Sequence, residues 1–352
     1  MLSFGGGGSL IGLDIGSSAV KVVELAKKGK KGFKLNKFGM VALPEGAIVE
    51  DEIIKDEEVV EAIKEALSAA KISSKNICLG LYGPNTLTRR LQIEGGTEEE
   101  MEDQVEWESE QYLPFSIDEA KLDYYVVGEN DGGGQDVIIA ASKEEVYESY
   151  LDLLKPLKLK PKVVDLNVIA VTNVFSHILG DRIDESVDSY MILDIGAQST
   201  KFIIYRAGVI AFAKEIAVGG MMFTEEIQRQ MGVNYLEAED LKIVADDQGN
   251  LPEEVLVIIS QVLEVVVGEL HKTLDFYITS SSDDSIVACY ITGGAVRTPG
   301  LMEKIEEVFG FQVELINPFE TIAINEKAFD EDEIDEIAHI GLASIGLGMR
   351  SP

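Results

Sequence analysis

The chain has 352 residues, 46% of them hydrophobic and 26% charged, enough for two domains with separate cores. A net charge of −33 at pH 7 excludes nucleic acid as a ligand, because phosphate backbones need a basic surface, and it argues against direct insertion into or adsorption on an anionic membrane. No apolar run approaches the roughly 20 residues that span a bilayer; the best, 255–270, is broken by Ser260, Gln261, Glu264 and Glu269 and reads as a buried helix.

The first nine residues lack the basic and apolar regions of a secretory signal, and Gly5 to Gly8 read as a flexible tail. Immediately after them comes the most informative feature, an internal repeat. Leu13, Asp14, Ile15, Gly16 and Lys21 recur as Leu193, Asp194, Ile195, Gly196 and Lys201, each 180 positions later. Each copy predicts strand, tight glycine turn, strand, and two copies half a chain apart predict a duplicated domain.

Between the copies, 56–70 has helical periodicity and 77–81 reads as a strand. An extended stretch over 87–93 leads into an acidic helix opened by a Thr97–Glu100 capping box and ending before Pro114. Strands over 122–127 and 137–141 form a hairpin across the Gly132–Gly134 loop, and 143–154 is again helical. A strand through Val163, Val164 and Asp165 then feeds a helix over 168–179. In the second half, strands cover 190–212 and a helix starts near Met222. A helical lobe spans 234–279, and a last strand over 286–291 ends at Gly293 and Gly294. The helix after it is expected to begin at Pro299 and stop at Gly310, and the acidic 326–336 stretch to be a loop. Cys78 and Cys289 sit in apolar strands and read as packed thiols of a reducing compartment.

The charge is uneven. Residues 97–119 hold ten acidic residues and no basic one, whereas 21–37 hold seven lysines and one glutamate. The acidic run reads as a solvated helix face, with basic peptide partners as the functional alternative.

The doubled turn has the chemistry of a polyphosphate site. Gly16 and Gly196 let backbone approach phosphates without a Cβ. Ser17, Ser18, Ser199 and Thr200 add hydroxyls, and Asp14 and Asp194 end their strands where they could hold Mg²⁺ through its waters. Gly293, Gly294 and Arg297 form a third turn between strand and helix, suited to a ribose or purine face; Gly219 and Gly220 form a fourth, weaker one. Lys21 is either a counter-charge to the phosphates or a plain strand residue.

These residues resemble the actin-like ATPase superfamily: a phosphate-1 loop over 13–21, a phosphate-2 loop over 193–200 and an adenosine loop over 291–295. The resemblance implies an α/β actin-like ATPase fold, with two RNase H-like lobes around a nucleotide cleft that binds ATP and Mg²⁺. Within that superfamily, the stretches 11–25, 106–115 and 122–125 make the chain similar to the PilM family of type IV pilus assembly, relatives of the division protein FtsA. The expected domains are a first lobe (1–86 with 162–185), an inserted α/β subdomain (87–161), a second lobe (186–233 with 280–352) and its helical subdomain (234–279).

By the same resemblance, Glu239 and Lys242 match the nucleoside-contacting helix, although the residues alone read as a surface i,i+3 pair. Asp165 stands where the superfamily often places its water-orienting catalytic group, with a helix N-cap as the plain alternative; slow or negligible turnover is expected. The resemblance implies a cytoplasmic protein recruited to the inner-membrane face by the N-terminal cytoplasmic segment of PilN. Trp107, Tyr112, Leu113 and Phe115 are the candidate partner-binding residues, in a carboxylate-rimmed groove between the inserted subdomain and the first lobe that would suit basic flanks on the peptide; packing on the module's own sheet is the plain alternative, above all for Trp107. An FtsA-like filament former and a small-molecule kinase are the rival functions, and self-association is left open.

Overall fold

The computed structural model describes residues 10–29, 32–130, 132–180, 188–243, 251–281 and 286–352; the glycine tail at 5–8 lies outside them. The chain divides into two compact units. The first is built on residues up to 180 together with 208–214 and 317–352, the second on 188–207 and 215–316.

In the first unit, β1 (Ile11–Ile15) pairs antiparallel with β2 (Ala19–Lys28), which pairs with β3 (Gly32–Ala42). A short hairpin, β4 (Ile48–Val49) and β5 (Glu52–Ile53), precedes α1 (Asp56–Ala69). On the other side of β1 lies β6 (Asn76–Leu81), parallel to it. The chain then leaves the sheet for a module of β7 (Thr86–Ile93), α2 (Glu98–Glu110), β8 (Ala120–Glu129), β9 (Gln135–Lys143) and α3 (Glu144–Asp152). It returns as β10 (Lys160–Leu166), parallel to β6, and continues into α4 (Asn167–Leu179).

The module's three strands run in the order β7-β9-β8. α2 covers one face through Val105 and Met101, packed on Leu91, Ile93, Val137 and Ile139. Its N-terminus carries the expected capping box, with Thr97 and Glu100 each satisfying the other's backbone N–H. The hairpin loop is closed by Asn130, whose side-chain oxygen accepts from Gly132 and Gly134, each at 3.0 Å. Val146, Tyr150, Leu153 and Leu154, in and after α3, instead join the core formed by β1, β2, β6 and α1.

The second unit repeats the pattern. β11 (Ser189–Ile195) is antiparallel to β12 (Thr200–Arg206) and parallel to β14 (Ile286–Thr292). With β13 (Val209–Ile216) and β15 (Val313–Leu315) they form a sheet in the order β13-β12-β11-β14-β15. Its helices are α5 (Met221–Met231), α6 (Tyr235–Ile243), α7 (Glu253–Ser281) and α8 (Leu301–Phe309). The apolar segment at 255–270 lies within α7, with Val255, Ile258, Val262, Val266 and Leu270 buried and Val257 and Val265 on the exposed face.

Three expectations are corrected. The helix after Gly294 does not begin at Pro299: a 3-10 turn, Gly294–Arg297, intervenes, and α8 starts after Gly300, whose φ of 80° fills the N-cap position. Residues 326–336 are not all loop, because Asp330 and Glu333 form a capping box that opens α9 (Glu331–Ile340), with Ile337 and Ala338 buried on one face. Finally, 317–352 does not belong with the second unit. β16 (Ala323–Ile324) pairs with β3, and α10 (Leu342–Gly348) is buried along its whole length on β1 and α4. Glycines make that approach: a Cβ on Gly12 would fall 2.0 Å from the Ser344 carbonyl, and one on Gly346 2.0 Å from that of Ala170.

Candidate functional site

The repeat folds into the same local structure in both units. In the first, the Gly16 N–H closes the β1–β2 turn on the Ala19 carbonyl at 3.0 Å, leaving Ser17 and Ser18 half-buried at its tip. Asp14 and Lys21 are cross-strand partners, and their side chains pair at 3.4 Å. In the second, the Gly196 N–H reaches the Ser199 carbonyl at 2.9 Å, and Asp194 pairs with Lys201 at 3.2 Å. Both aspartates are buried, their side chains 6% and 12% exposed, and each has a cation beside it, as buried charge requires.

The second unit gathers nearly all of its candidates. The turn at 218–220 is bonded to the 194–200 turn: Gly220 N–H to the Gly196 carbonyl at 2.9 Å and Met221 N–H to that of Ala197 at 2.7 Å. A Cβ on Gly219 would fall 2.5 Å from the Ala197 carbonyl, and one on Gly293 2.3 Å from that of Ile195. Gly293 also has φ 99°, open only to glycine, whereas Gly294 has open space around it. Arg297 is exposed at the end of that turn. From α6, Lys242 donates to Glu239 at 2.7 Å, to Thr224 at 2.9 Å and to the Gly220 carbonyl at 3.4 Å. It is thereby built into the glycine turns, unlike a surface i,i+3 pair. Two hydroxyls are already committed: Thr200 donates to the Val218 carbonyl at 2.7 Å and Ser199 to the Glu215 carboxylate. They brace the turn.

Asp165 is not the N-cap of α4. The N-cap of α4 is Leu166, with no side-chain cap. The Asp165 carboxylate accepts the Leu166 N–H at 2.9 Å and pairs with Arg350 Nε at 3.0 Å. Burial pushes its pKa above the ordinary carboxylate value, with the Arg350 charge opposing. It is Asn167, two residues on, that reaches the phosphate turn, donating from Nδ2 to Asp14 Oδ1 at 2.8 Å.

Asp165 and Arg350 also line a groove of about 890 Å³. One wall is β8 with the adjoining face of β9, contributing Lys121, Asp123, Tyr125 and Ile138; another is β10 and α4, contributing Lys162, Val164 and Ile169; Gly208, Val209 and Ile210 line it as well. Both β8 and β10 are edge strands of their sheets, so each offers unpaired backbone groups.

A family model described as type IV pilus assembly protein PilM matches residues 12–352. The chain belongs to the PilM family. It is similar to a solved structure titled "PilM-PilN type IV pilus biogenesis complex", with 27% identity and a TM-score of 0.86 over 98% of this chain and 99% of that one. Two more distant likenesses bear on fold alone. The ethanolamine utilization protein EutJ from Carboxydothermus hydrogenoformans has 10% identity and a TM-score of 0.57, over 97% of this chain and 89% of that one. A diol dehydratase-reactivating factor has 10% identity and a TM-score of 0.54, over 97% and 99%. The fold is the actin-like ATPase fold, and the family's task is pilus assembly.

For this PilM-family chain, the four aromatic and apolar candidates of the inserted module lie away from the groove. Tyr112 packs on the module core with the Arg89 guanidinium 3.6 Å from its ring centroid, Leu113 and Phe115 are half-buried, and Trp107 is 71% exposed on α2. None of the four is among the described residues that line the groove. The apolar anchor there is Tyr125, 66% exposed. The groove's charges are Lys121, Lys162 and Arg350 against Asp123 and Asp165. Sequence reasoning missed Asn167, Arg350 and Tyr125. The only local signal was the pair of polar residues Asp165 and Asn167, on either side of Leu166 at a strand-to-helix junction.

Among the described residues no three His, Cys, Asp or Glu side chains gather as a metal cluster. Each doubled turn, taken by itself, carries one buried carboxylate, and a single carboxylate suits Mg²⁺, which dehydrates reluctantly and takes only one or two.

Proposed function

We propose that this chain is a nucleotide-dependent scaffold of the pilus inner-membrane platform, which binds Mg-ATP at the doubled turns and captures the cytoplasmic N-terminal segment of PilN in the β8–β10 groove. The observation that carries the reading is the groove itself, a cavity flanked by two free strand edges in a chain similar to a PilM bound to PilN. An extended peptide could add its backbone to either edge and place an apolar side chain against Tyr125. No helix among the described residues is long and apolar enough to cross a membrane, so recruitment to the cytoplasmic face of the inner membrane rests on the partner.

Bound Mg²⁺ would supply charge neutralisation between the phosphate oxygens. This chain's residues do the rest. In each unit by itself, the turn's aspartate, Asp14 or Asp194, is the group that could hold the ion through its water, and the lysine beside it, Lys21 or Lys201, is the counter-charge available to phosphate. The Gly16 and Gly196 turns would present backbone N–H groups, and Gly293 and Gly294 would admit the nucleoside alongside Glu239 and Lys242. Asp165, paired with Arg350, is the candidate for orienting water, and slow turnover is the expectation.

The test is co-sedimentation with vesicles that carry or lack full-length PilN. Recruitment only by vesicles carrying PilN supports the reading; equal sedimentation with both, or with neither, overturns it.

A further inference from the structure

Asp14, Gly80 and Asp165 stand side by side across the parallel strands β1, β6 and β10. Gly80 has no side chain, and the Asn167 amide lies in the space this leaves: a Cβ on Gly80 would fall 2.0 Å from Asn167 Oδ1. Across that gap Asn167 Nδ2 donates to Asp14 at 2.8 Å. Asn167 is 2% exposed, and its Oδ1 is buried with no hydrogen-bond partner, so its orientation is set by the single bond to Asp14. Two residues back on the same backbone, the Asp165 carboxylate is also buried. Arg350 stands 3.0 Å from its Oδ2 as a charge contact without an aligned hydrogen bond. The two ends of one three-residue junction therefore touch two different sites. Asn167 touches the phosphate turn, and Asp165 with Arg350 touches the groove.

We propose that Asn167 is a positioning residue that makes the groove's affinity for its peptide depend on occupancy of the phosphate turn. The inference rests on the proposed function. Asp14 shares its carboxylate between Lys21 and Asn167. Once that carboxylate is drawn to the water shell of a cation, the bond from Asn167 weakens and the amide must find a new arrangement in its tight seat over Gly80. Leu166, buried between the two sites, leaves the junction little room to absorb the change within itself, since packed interiors are not continuously deformable. The displacement reaches Asp165, whose contact with Arg350 is the polar part of the groove nearest the junction. The two sites thus bias one shared element, which is the physical requirement for coupling.

The experiment is calorimetric titration of the PilN cytoplasmic segment into the full chain, without nucleotide and with saturating Mg-ATP. The wild-type chain should show affinities differing by at least about five-fold, the lower end of usual coupling strengths, and Mg-ATP affinity should change by the same factor when peptide is added. Asn167→Ala should bind both ligands but bring the ratio close to one. Asn167→Ser, which keeps a short donor, should restore part of it and provides the readout if Asn167→Ala does not fold. A purely structural role for Asn167 would lower stability and leave the ratio intact. A wild-type ratio of one, or variants with the wild-type ratio, would overturn the proposal. If either ligand fails to bind the wild-type chain at all, the proposed function itself falls.

Discussion

The glycines of the third turn give a paired prediction in which fold and ligand binding separate. Gly293→Ala places a side chain on a residue with φ 99° and a Cβ 2.3 Å from the Ile195 carbonyl. The backbone term costs about 1–2 kcal/mol and overpacking about 1–3 kcal/mol, together roughly 2–5 kcal/mol. At about 3 °C per kcal/mol for a domain of this size, the melting temperature should fall by roughly 6–15 °C. Gly294→Ala, one residue on, meets nothing within 4 Å and has no positive φ, so its stability should stay within about 0.5 kcal/mol of wild type. Its Cβ nevertheless projects into the open side of the turn, where the proposed nucleoside would pack. Nucleotide at one hundred times Kd stabilises by about 2.7 kcal/mol, or roughly 8 °C on the same scale. A tenfold weaker site would retain about 1.4 kcal/mol, half the shift. Differential scanning fluorimetry with and without Mg-ATP reads both effects. A full wild-type shift in Gly294→Ala, or an unchanged melting temperature in Gly293→Ala, would refute the reasoning.

Further outcomes follow from individual side chains. Asp14→Ala and Asp194→Ala should each abolish the Mg-ATP shift in the same assay while the chain stays folded by circular dichroism; a retained shift in either would remove that carboxylate from the site. Burial holds the Asp165 carboxyl above its ordinary 3.8, so the native chain binds more protons than the unfolded one between that value and the raised one, and stability falls as pH rises through the window. Asp165→Asn should therefore raise the melting temperature at pH 7, with the gain shrinking toward pH 3; a lowered melting temperature at pH 7 contradicts this. Cys78 and Cys289 are buried and their thiols are pushed upward by desolvation, so a maleimide should label neither natively and both after unfolding.

What the sequence revealed and what it hid have a common physical origin. The doubled turn was legible because its chemistry is local: Asp14 with Gly16 and Asp194 with Gly196 sit within one tight turn each, and a glycine turn writes its own signature. The capping box at Thr97 is local in the same sense. Asn167 was not legible, because its role depends on register across three strands that bring 14, 80 and 165 into line. Neither was α10, whose placement depends on Gly12 and Gly346 allowing backbone to approach backbone. The aromatic run from Trp107 to Phe115 is local in sequence, but its placement is not: Tyr112 packs on the module core beneath Arg89, while the cavity lined by Tyr125 lies beside the edge strands β8 and β10. Edges are a property of topology, and no spacing of residue types announces them.

The central claim is that this groove holds the cytoplasmic segment of PilN. Its most direct measurement is isothermal titration of that peptide into the full chain and into Tyr125→Asp. The substitution puts a charge on a residue 66% exposed, where the fold is expected to tolerate it. The account predicts saturable one-to-one binding by wild type and at least about a tenfold loss, some 1.4 kcal/mol, in the variant. A second variant, Trp107→Asp on the exposed face of α2, should bind as wild type does. Equal affinity for wild type and Tyr125→Asp, with loss confined to Trp107→Asp, would contradict the account and move the partner site to the acidic helix.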